Sequence, residues 1–417
     1  MTDSITTHSS DGSPHWRRTM WGMVIVVLVM GIGFNFLNPV MPLFLPVLGV
    51  TNEAHVSLLA GAIASITSFV AVFTSPVWGR MADRHGRKLM VLRSSFAIGA
   101  CTVVMGFSRT PWELLALRAL MGAFAGFSSA SVVMVASQVP ERRIGYALGL
   151  LSTGQLVGSL IGPVIGGAIA DLTGSYRIPF YCAGSICLVG CLLAWRLVKE
   201  DFVRPAKAQD RGSLCQSFAL MRATRGMLAL MLVLMLTQFS VHALGPMITL
   251  YVQELLGPRP DLATLGGLAF SITGLAGIIA VPLLGRVTDR LGERRILLTA
   301  LTGAALFTLP QAFTESYWLF VAERFGVGLF IGSILPAANA LIGRITPAEQ
   351  RGSVYGMTAS AYFMGNSLGP MTAGGVAAVF GLHWVFVLTA ILLCLNLAWV
   401  YASVRDGKTG TAPDTTA

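Results

Sequence analysis

The sequence GRMADRHGRKLMVL occupies Gly79–Leu92, and GRVTDRLGERRILL occupies Gly285–Leu298. The two copies lie 206 residues apart in a chain of 417. The same offset pairs Pro76 with Pro282, Arg118 with Arg324 and Gly122 with Gly328. After a one-residue slip, Pro140 pairs with Pro347, Gly158 with Gly365, and Gly162-Pro163 with Gly369-Pro370. A repeat that fills half the chain means two homologous halves.

The material around these copies is apolar. Hydrophobic residues make up 54% of the chain and charged residues 12%, with a mean hydropathy of +0.71. Soluble domains carry roughly 25% charged residues. A helix needs about 20 apolar residues to cross a bilayer. Twelve segments meet this: 20–47, 57–79, 89–107, 112–136, 144–170, 178–198, 227–256, 264–285, 296–313, 316–342, 353–379 and 383–403. The first is too long for the apolar region of a secretory signal and reads as a retained helix. The expected fold is an all-α membrane protein with twelve transmembrane helices in two pseudo-symmetric six-helix halves. The halves cover 20–198 and 227–404, joined by a basic linker at 199–226, with tails at 1–19 and 405–417.

Basic residues set the expected orientation. With the N-terminus inside, 24 of the 29 Lys and Arg fall on the cytoplasmic side and three, Arg109, Arg177 and Arg259, on the outer side. Arg118 and Arg324 fall within helices. This is a strong positive-inside bias, so both termini are expected in the cytoplasm. The net charge of +10 then fits anionic lipid headgroups and calls for no nucleic acid. The six cysteines form no C-x-x-C pair and join no His/Asp/Glu cluster, so no metal site is expected.

The loop G-R-x-x-D-R-x-G-R-K at Gly79–Lys88, with its second copy, resembles the signature loop of the major facilitator superfamily, and the resemblance extends over nearly the whole chain. It implies that superfamily's fold. Gly154, Gly158, Gly162, Pro163, Gly166 and Gly167 resemble the antiporter motif of drug:proton exporters. Asn38-Pro39-Val40-Met41-Pro42 and Leu117–Gly122 are similar to further signatures of the twelve-helix drug antiporters. The stretch from Val139 to Gly167 is most similar to the MdtG-type multidrug exporters. The resemblance implies export of amphiphilic small molecules against protons in a cell membrane, the inner one in a Gram-negative cell.

Each motif has a physical reading. The helices beginning near Gly145 and Gly352 present unpaired N–H groups that attract carboxylates. If Asp83 caps the second and Asp289 the first, the halves are tied on the inner side. Gly79, Arg80, Asp83, Arg84, Gly86, Arg87 and Lys88, with Gly285, Asp289 and Arg290, are therefore the candidate conformational switch. The bland alternatives are solvated surface ion pairs and topology signals. Glycines four apart in the fifth helix let backbones touch. Pro163 bends that helix, and the expectation places the run at the contact between halves, against ordinary helix packing.

Arg118 is costly inside a membrane and is expected to face the bundle interior, with snorkelling to the outer surface as the alternative. The resemblance assigns this Arg to proton handling. The first helix, however, contains no Asp or Glu, where many such antiporters carry an embedded acid. His242 is a candidate proton carrier because its unperturbed pKa lies near 6.5. Asp171, Glu254 and Glu323 are weaker candidates. Polar and aromatic residues in otherwise apolar helices nominate a substrate cavity: Asn35, Asn38, Gln155, Gln238, His242, Tyr251, Asn339, Tyr362 and Asn366. Helix–helix hydrogen bonding is the alternative for each.

No Ser/His/Asp set, H-E-x-x-H, P-loop or dinucleotide fingerprint occurs, so neither an enzyme nor a direct ATP drive is expected, and no cofactor. The expected partners are small amphiphilic substrates, protons and the lipid bilayer, with the chain monomeric. Transport of one metabolite, such as a sugar or siderophore, in either direction is the alternative on the same fold. A membrane receptor is the remote one.

Overall fold

The computed structural model describes residues 15–200, 227–345 and 351–403. Among them every regular element is helical. In chain order these are α1 (Trp16–Asn35), α2 (Val40–Val47), α3 (Glu53–His85), α4 (Arg87–Met105), α5 (Pro111–Ala123), α6 (Phe127–Gln138), α7 (Ile144–Thr173) and α8 (Ile178–Leu197). They continue with α9 (Met227–Ala243), α10 (Gly245–Leu256), α11 (Leu262–Leu291), α12 (Glu293–Thr308), α13 (Tyr317–Ile345), α14 (Arg351–Phe380) and α15 (His383–Ser403).

Three of the twelve segments are broken rather than continuous. Residues 36–39 interrupt the first, between α1 and α2. Pro39 has no N–H to donate, and the residue before a proline is driven out of helical geometry. Leu244 interrupts the seventh, ahead of Gly245-Pro246. Pro39 and Pro246 are 207 positions apart, so both halves break their first helix at the same place. Residues 124–126 interrupt the fourth, and Gly126 there has φ +120°, which disfavours any side chain. Its counterpart in the second half, α13, runs unbroken from Tyr317 to Ile345.

With the broken pairs joined, ten spans among the described residues are long and apolar enough to cross a membrane. α12 and α14 complete the twelve. α12 has only 16 residues, fewer than the roughly 20 of a full crossing. A short 3₁₀ turn at Pro310–Ala312 follows it. Large apolar side chains such as Phe73, Phe96, Trp195, Leu306 and Trp318 are exposed. A bilayer covers such a surface, whereas water would not.

Packing divides the chain into two units. One holds residues 1–209 together with Ile248–Ser271, and the other holds Asp210–Met247 with Ile272–Ala417. The first ten residues of α11 therefore pack with the first unit although they follow the repeat boundary. In the first unit α1 lies against α7 and α8, α4 against α8, and α3 against α5. In the second, α9 lies against α14 and α15, and α12 against α13 and α15. The core of the second unit gathers Leu230 and Leu234 of α9, Leu297 and Leu301 of α12, Ile334 of α13 and Leu393 of α15.

The repeat extends to single hydrogen bonds. Thr67 Oγ1 donates to the Arg118 carbonyl at 3.1 Å, and Thr273 Oγ1 donates to the Arg324 carbonyl at 3.3 Å. Gly122 abuts the Thr67 backbone, and Gly328 abuts the Thr273 carbonyl.

Candidate functional site

The signature loop is the single residue Gly86, at φ +92°, between α3 and α4. Arg80 and Arg84 are exposed; Arg87 and Lys88 are half-buried. The first amides of α4 need acceptors, and Glu200 supplies them. Its carboxylate accepts from Arg87 N and Lys88 N, each at 2.8 Å. Lys88 Nζ donates to the Trp195 carbonyl at 2.9 Å. These bonds fasten the start of α4 to the end of α8. The side chains of Asp83, Asp289, Arg290 and Asn339, and the surroundings of Gly285, lie outside the described residues.

The glycine motif is divided between two neighbours. Gly154, Gly158, Gly162 and Gly166 face α1. A Cβ on Gly158 would lie 2.8 Å from the Gly31 carbonyl carbon, and one on Gly162 would lie 2.6 Å from the Ile32 oxygen. Gly166 leaves no room beside the Phe36 carbonyl. Most of the motif therefore packs one helix of the first unit against another. Gly167 meets the Ala263 carbonyl at the start of α11, and the Pro163 carbonyl touches Gly267. In the second unit, Gly365 and Gly369 of α14 press on the Met235 and Phe239 carbonyls of α9.

The polar candidates fall into local groups. In the first unit Asn38 Nδ2 donates to Asn35 Oδ1 at 3.1 Å, and Asn35 Nδ2 donates to the Gly31 carbonyl at 2.8 Å. These bonds span the break between α1 and α2, where helical carbonyls lose their usual partners. Gln155 is half-buried on α7, its backbone beside Gly31. Tyr251 is buried in α10. In the second unit Gln238 Nε2 donates to Asn366 Oδ1 at 3.2 Å, and the Tyr362 side chain lies beside both. His242 is half-buried one helical turn beyond Gln238 on α9.

Arg118 lies in α5 with its Nε buried and without a hydrogen bond among the described residues. Arg324 and Glu323 are buried in α13; Thr314 Oγ1 donates to Glu323 at 2.7 Å. Glu254 is exposed. Asp171 is engaged: its carboxylate accepts from the amides of Ala263 and Thr264 and from the Thr264 hydroxyl.

Sequence reading missed a third arginine within a helix. Arg93 was grouped with the cytoplasmic loop, yet it sits well inside α4. Its guanidinium stacks 3.3 Å from the centre of the Trp78 ring and donates to the Ala125 carbonyl at 3.1 Å. Trp78 Nε1 donates to the Ala123 carbonyl at 2.7 Å, and Thr74 Oγ1 to the Gly122 carbonyl at 3.1 Å. The three side chains satisfy carbonyls beside the break in the fourth segment. The equivalent positions in the second half are Thr299 and Leu284 in place of Arg93 and Trp78. A leucine carries no side-chain donor, and α13 is unbroken.

These features define a class: a multi-pass, all-helical membrane protein whose two homologous halves repeat one packing scheme around interrupted helices. The Major Facilitator Superfamily model matches residues 23–264 and again 230–417, and the chain belongs to that superfamily. It is similar to the multidrug resistance protein MdtG of Serratia proteamaculans (strain 568), 34% identical over 401 residues, covering 96% of this chain and 97% of the relative. It is also similar to MdtG of Proteus mirabilis (strain HI4320), 34% identical over 391 residues, covering 94% and 96%. Among solved structures, a bacterial homolog of the human lysosomal transporter Spinster, inward-facing and occupied, has a TM-score of 0.74 at 15% identity and covers 94% of this chain and 97% of that one. The nucleoside transporter NupG has a TM-score of 0.72 at 16% identity, covering 93% and 99%. Both share the fold.

Proposed function

We propose that this protein exports amphiphilic small molecules of the drug class across a cell membrane, by alternating access and in exchange for protons. The observation that carries the reading is the cluster of Gln238, Tyr362 and Asn366 on α9 and α14, with His242 one turn away. A few polar groups in a greasy wall orient a ligand without demanding one shape. Unbranched methionines, of which the chain has 18, let such a wall adapt. The similarity to proteins named for multidrug resistance points the same way.

The halves 20–198 and 227–404 are the moving bodies in this reading, and the 24:3 bias supports cytoplasmic termini. Asp83 and Asp289 serve as switch carboxylates. Arg118 supplies a fixed charge beside the proton path, and His242 is the leading proton carrier.

The test is expression in an efflux-deficient host challenged with a panel of chemically unrelated amphiphiles. Raised tolerance and lower accumulation for several of them support the reading. Indifference to all of them, with uptake or loss of one metabolite, supports the single-substrate alternative.

A further inference from the structure

α11 starts at Leu262, and its first amides need acceptors. Asp261 stands at the position from which a carboxylate ordinarily binds the amides two and three residues on. α3 shows the local solution: the Asn52 side chain accepts from Ala54 N at 2.9 Å and His55 N at 3.3 Å. At α11 the local acid is turned away. Arg259 holds Asp261 through two hydrogen bonds, at 2.9 and 3.0 Å. The amides that Asp261 would cap, those of Ala263 and Thr264, are taken instead by Asp171 from the end of α7, at 3.2 and 2.7 Å. Two carboxylates thus stand near one helix start, one engaged and one withheld.

The surroundings hold α7 and α11 in register. Gly167 meets the Ala263 carbonyl, and Gly267 meets the Pro163 carbonyl, one turn deeper. Tyr176, beside Asp171, offers no competing anion. Burial, and then the Asp171 charge, push its phenol above the usual range. α11 itself passes from one packing unit to the other after Ser271.

We propose that Asp171 is a releasable clamp on α11, positioned to close the face of the protein opposite the Gly86 loop, and that Asp261 is its stand-in. When α7 and α11 separate, Asp261 leaves Arg259 and caps the freed amides, so opening strands no helix donors. Arg259 is then the residue that keeps the stand-in disengaged while the clamp is shut. The proposal rests on the alternating-access reading and on the orientation that makes this face the outer one.

The test uses the full chain in lipid nanodiscs, with two readouts. Hydrogen exchange of the peptide covering residues 262–266 reports the cap. Labelling of a cysteine at Asn38→Cys, in a background lacking the six native cysteines, by an impermeant thiol reagent reports outer access. Asp171→Ala is expected to raise the labelling rate about fivefold, the effect of losing one helix cap. Asp171→Glu should restore it, which a merely structural residue would not allow. Exchange should rise modestly in Asp171→Ala and far more in Asp171→Ala/Asp261→Ala. Arg259→Ala should raise labelling with little change in exchange. Unchanged labelling and exchange in Asp171→Ala would overturn the clamp. Equal exchange in the single and double variants would overturn the stand-in. Should the wild type export no compound while these shifts occur, the export reading fails and the clamp stands.

Discussion

Gln238 on α9 donates to Asn366 on α14 at 3.2 Å, and Tyr362 completes the group. Gln238 and Asn366 lie 128 positions apart and meet because Gly365 and Gly369 let the two helices touch. If the cluster orients substrate, Gln238→Ala and Asn366→Ala should raise the KM for efflux roughly three- to tenfold. That range corresponds to about 0.6–1.4 kcal/mol, within what a hydrogen bond inside a membrane protein contributes. Different compounds should respond unequally. Efflux kinetics in inside-out vesicles measure this; equal KM values for every compound would assign the group to helix packing alone.

Arg118 is half-buried, and its buried Nε has no hydrogen-bond partner among the described residues. A central arginine costs about 2.5–3.5 kcal/mol on insertion scales. Arg118→Leu should therefore keep or raise thermal stability while lowering proton-coupled efflux by more than about tenfold. A thermal melt in detergent together with a transport assay separates the two effects. Loss of stability with normal specific transport would make Arg118 a structural residue.

The break at residues 124–126 depends on donors from α3 and α4. Arg93→Ala strips the Ala125 carbonyl of its donor and removes the stack on Trp78. The expected loss is about 1–3 kcal/mol. Arg93→Lys should recover little of it, because the planar guanidinium both stacks and donates. Gly126→Ala should also destabilise, since φ +120° excludes a Cβ. Thermal melts of the three variants check this; a melt of Arg93→Lys matching the wild type would contradict it.

Glycines in α7 should differ sharply in tolerance. A Cβ on Gly158 would meet Gly31 at 2.8 Å, whereas a Cβ on Gly149 meets nothing within 4 Å. Gly158→Val should cost about 1–3 kcal/mol by overpacking. Gly149→Ala should be neutral or slightly stabilising, as expected where only helix propensity changes. Melting temperatures of the two variants decide between this account and one in which both glycines serve a moving interface.

The sequence made the twelve segments legible because a bilayer imposes one length and one polarity on each helix. It made the repeat legible because the copies at Gly79–Leu92 and Gly285–Leu298, with Pro76 and Pro282 and Arg118 and Arg324, keep one offset of 206 residues. It even brought Gln238, Tyr362 and Asn366 into one list, since polar side chains are rare in apolar helices. What it hid were pairings between distant residues that each had a plainer reading. Arg93 counted as a topology charge, Glu200 as the edge of a linker, and Asp171 as a weak proton carrier. Their roles emerge only where Ala125, Lys88 and Thr264 present backbone groups that need partners. The break in the fourth helix was equally hidden, because Gly126 lies in an uncharged, mostly apolar run that fits a continuous helix.

The central claim is proton-coupled export, and one measurement addresses it. Inside-out vesicles carrying the wild type, or Asp83→Asn, are energised with a proton gradient and given a transported amphiphile. The account predicts that the compound speeds dissipation of the gradient in the wild type and that Asp83→Asn abolishes most of this. Accumulation of the compound with no change in the proton gradient would contradict the coupling.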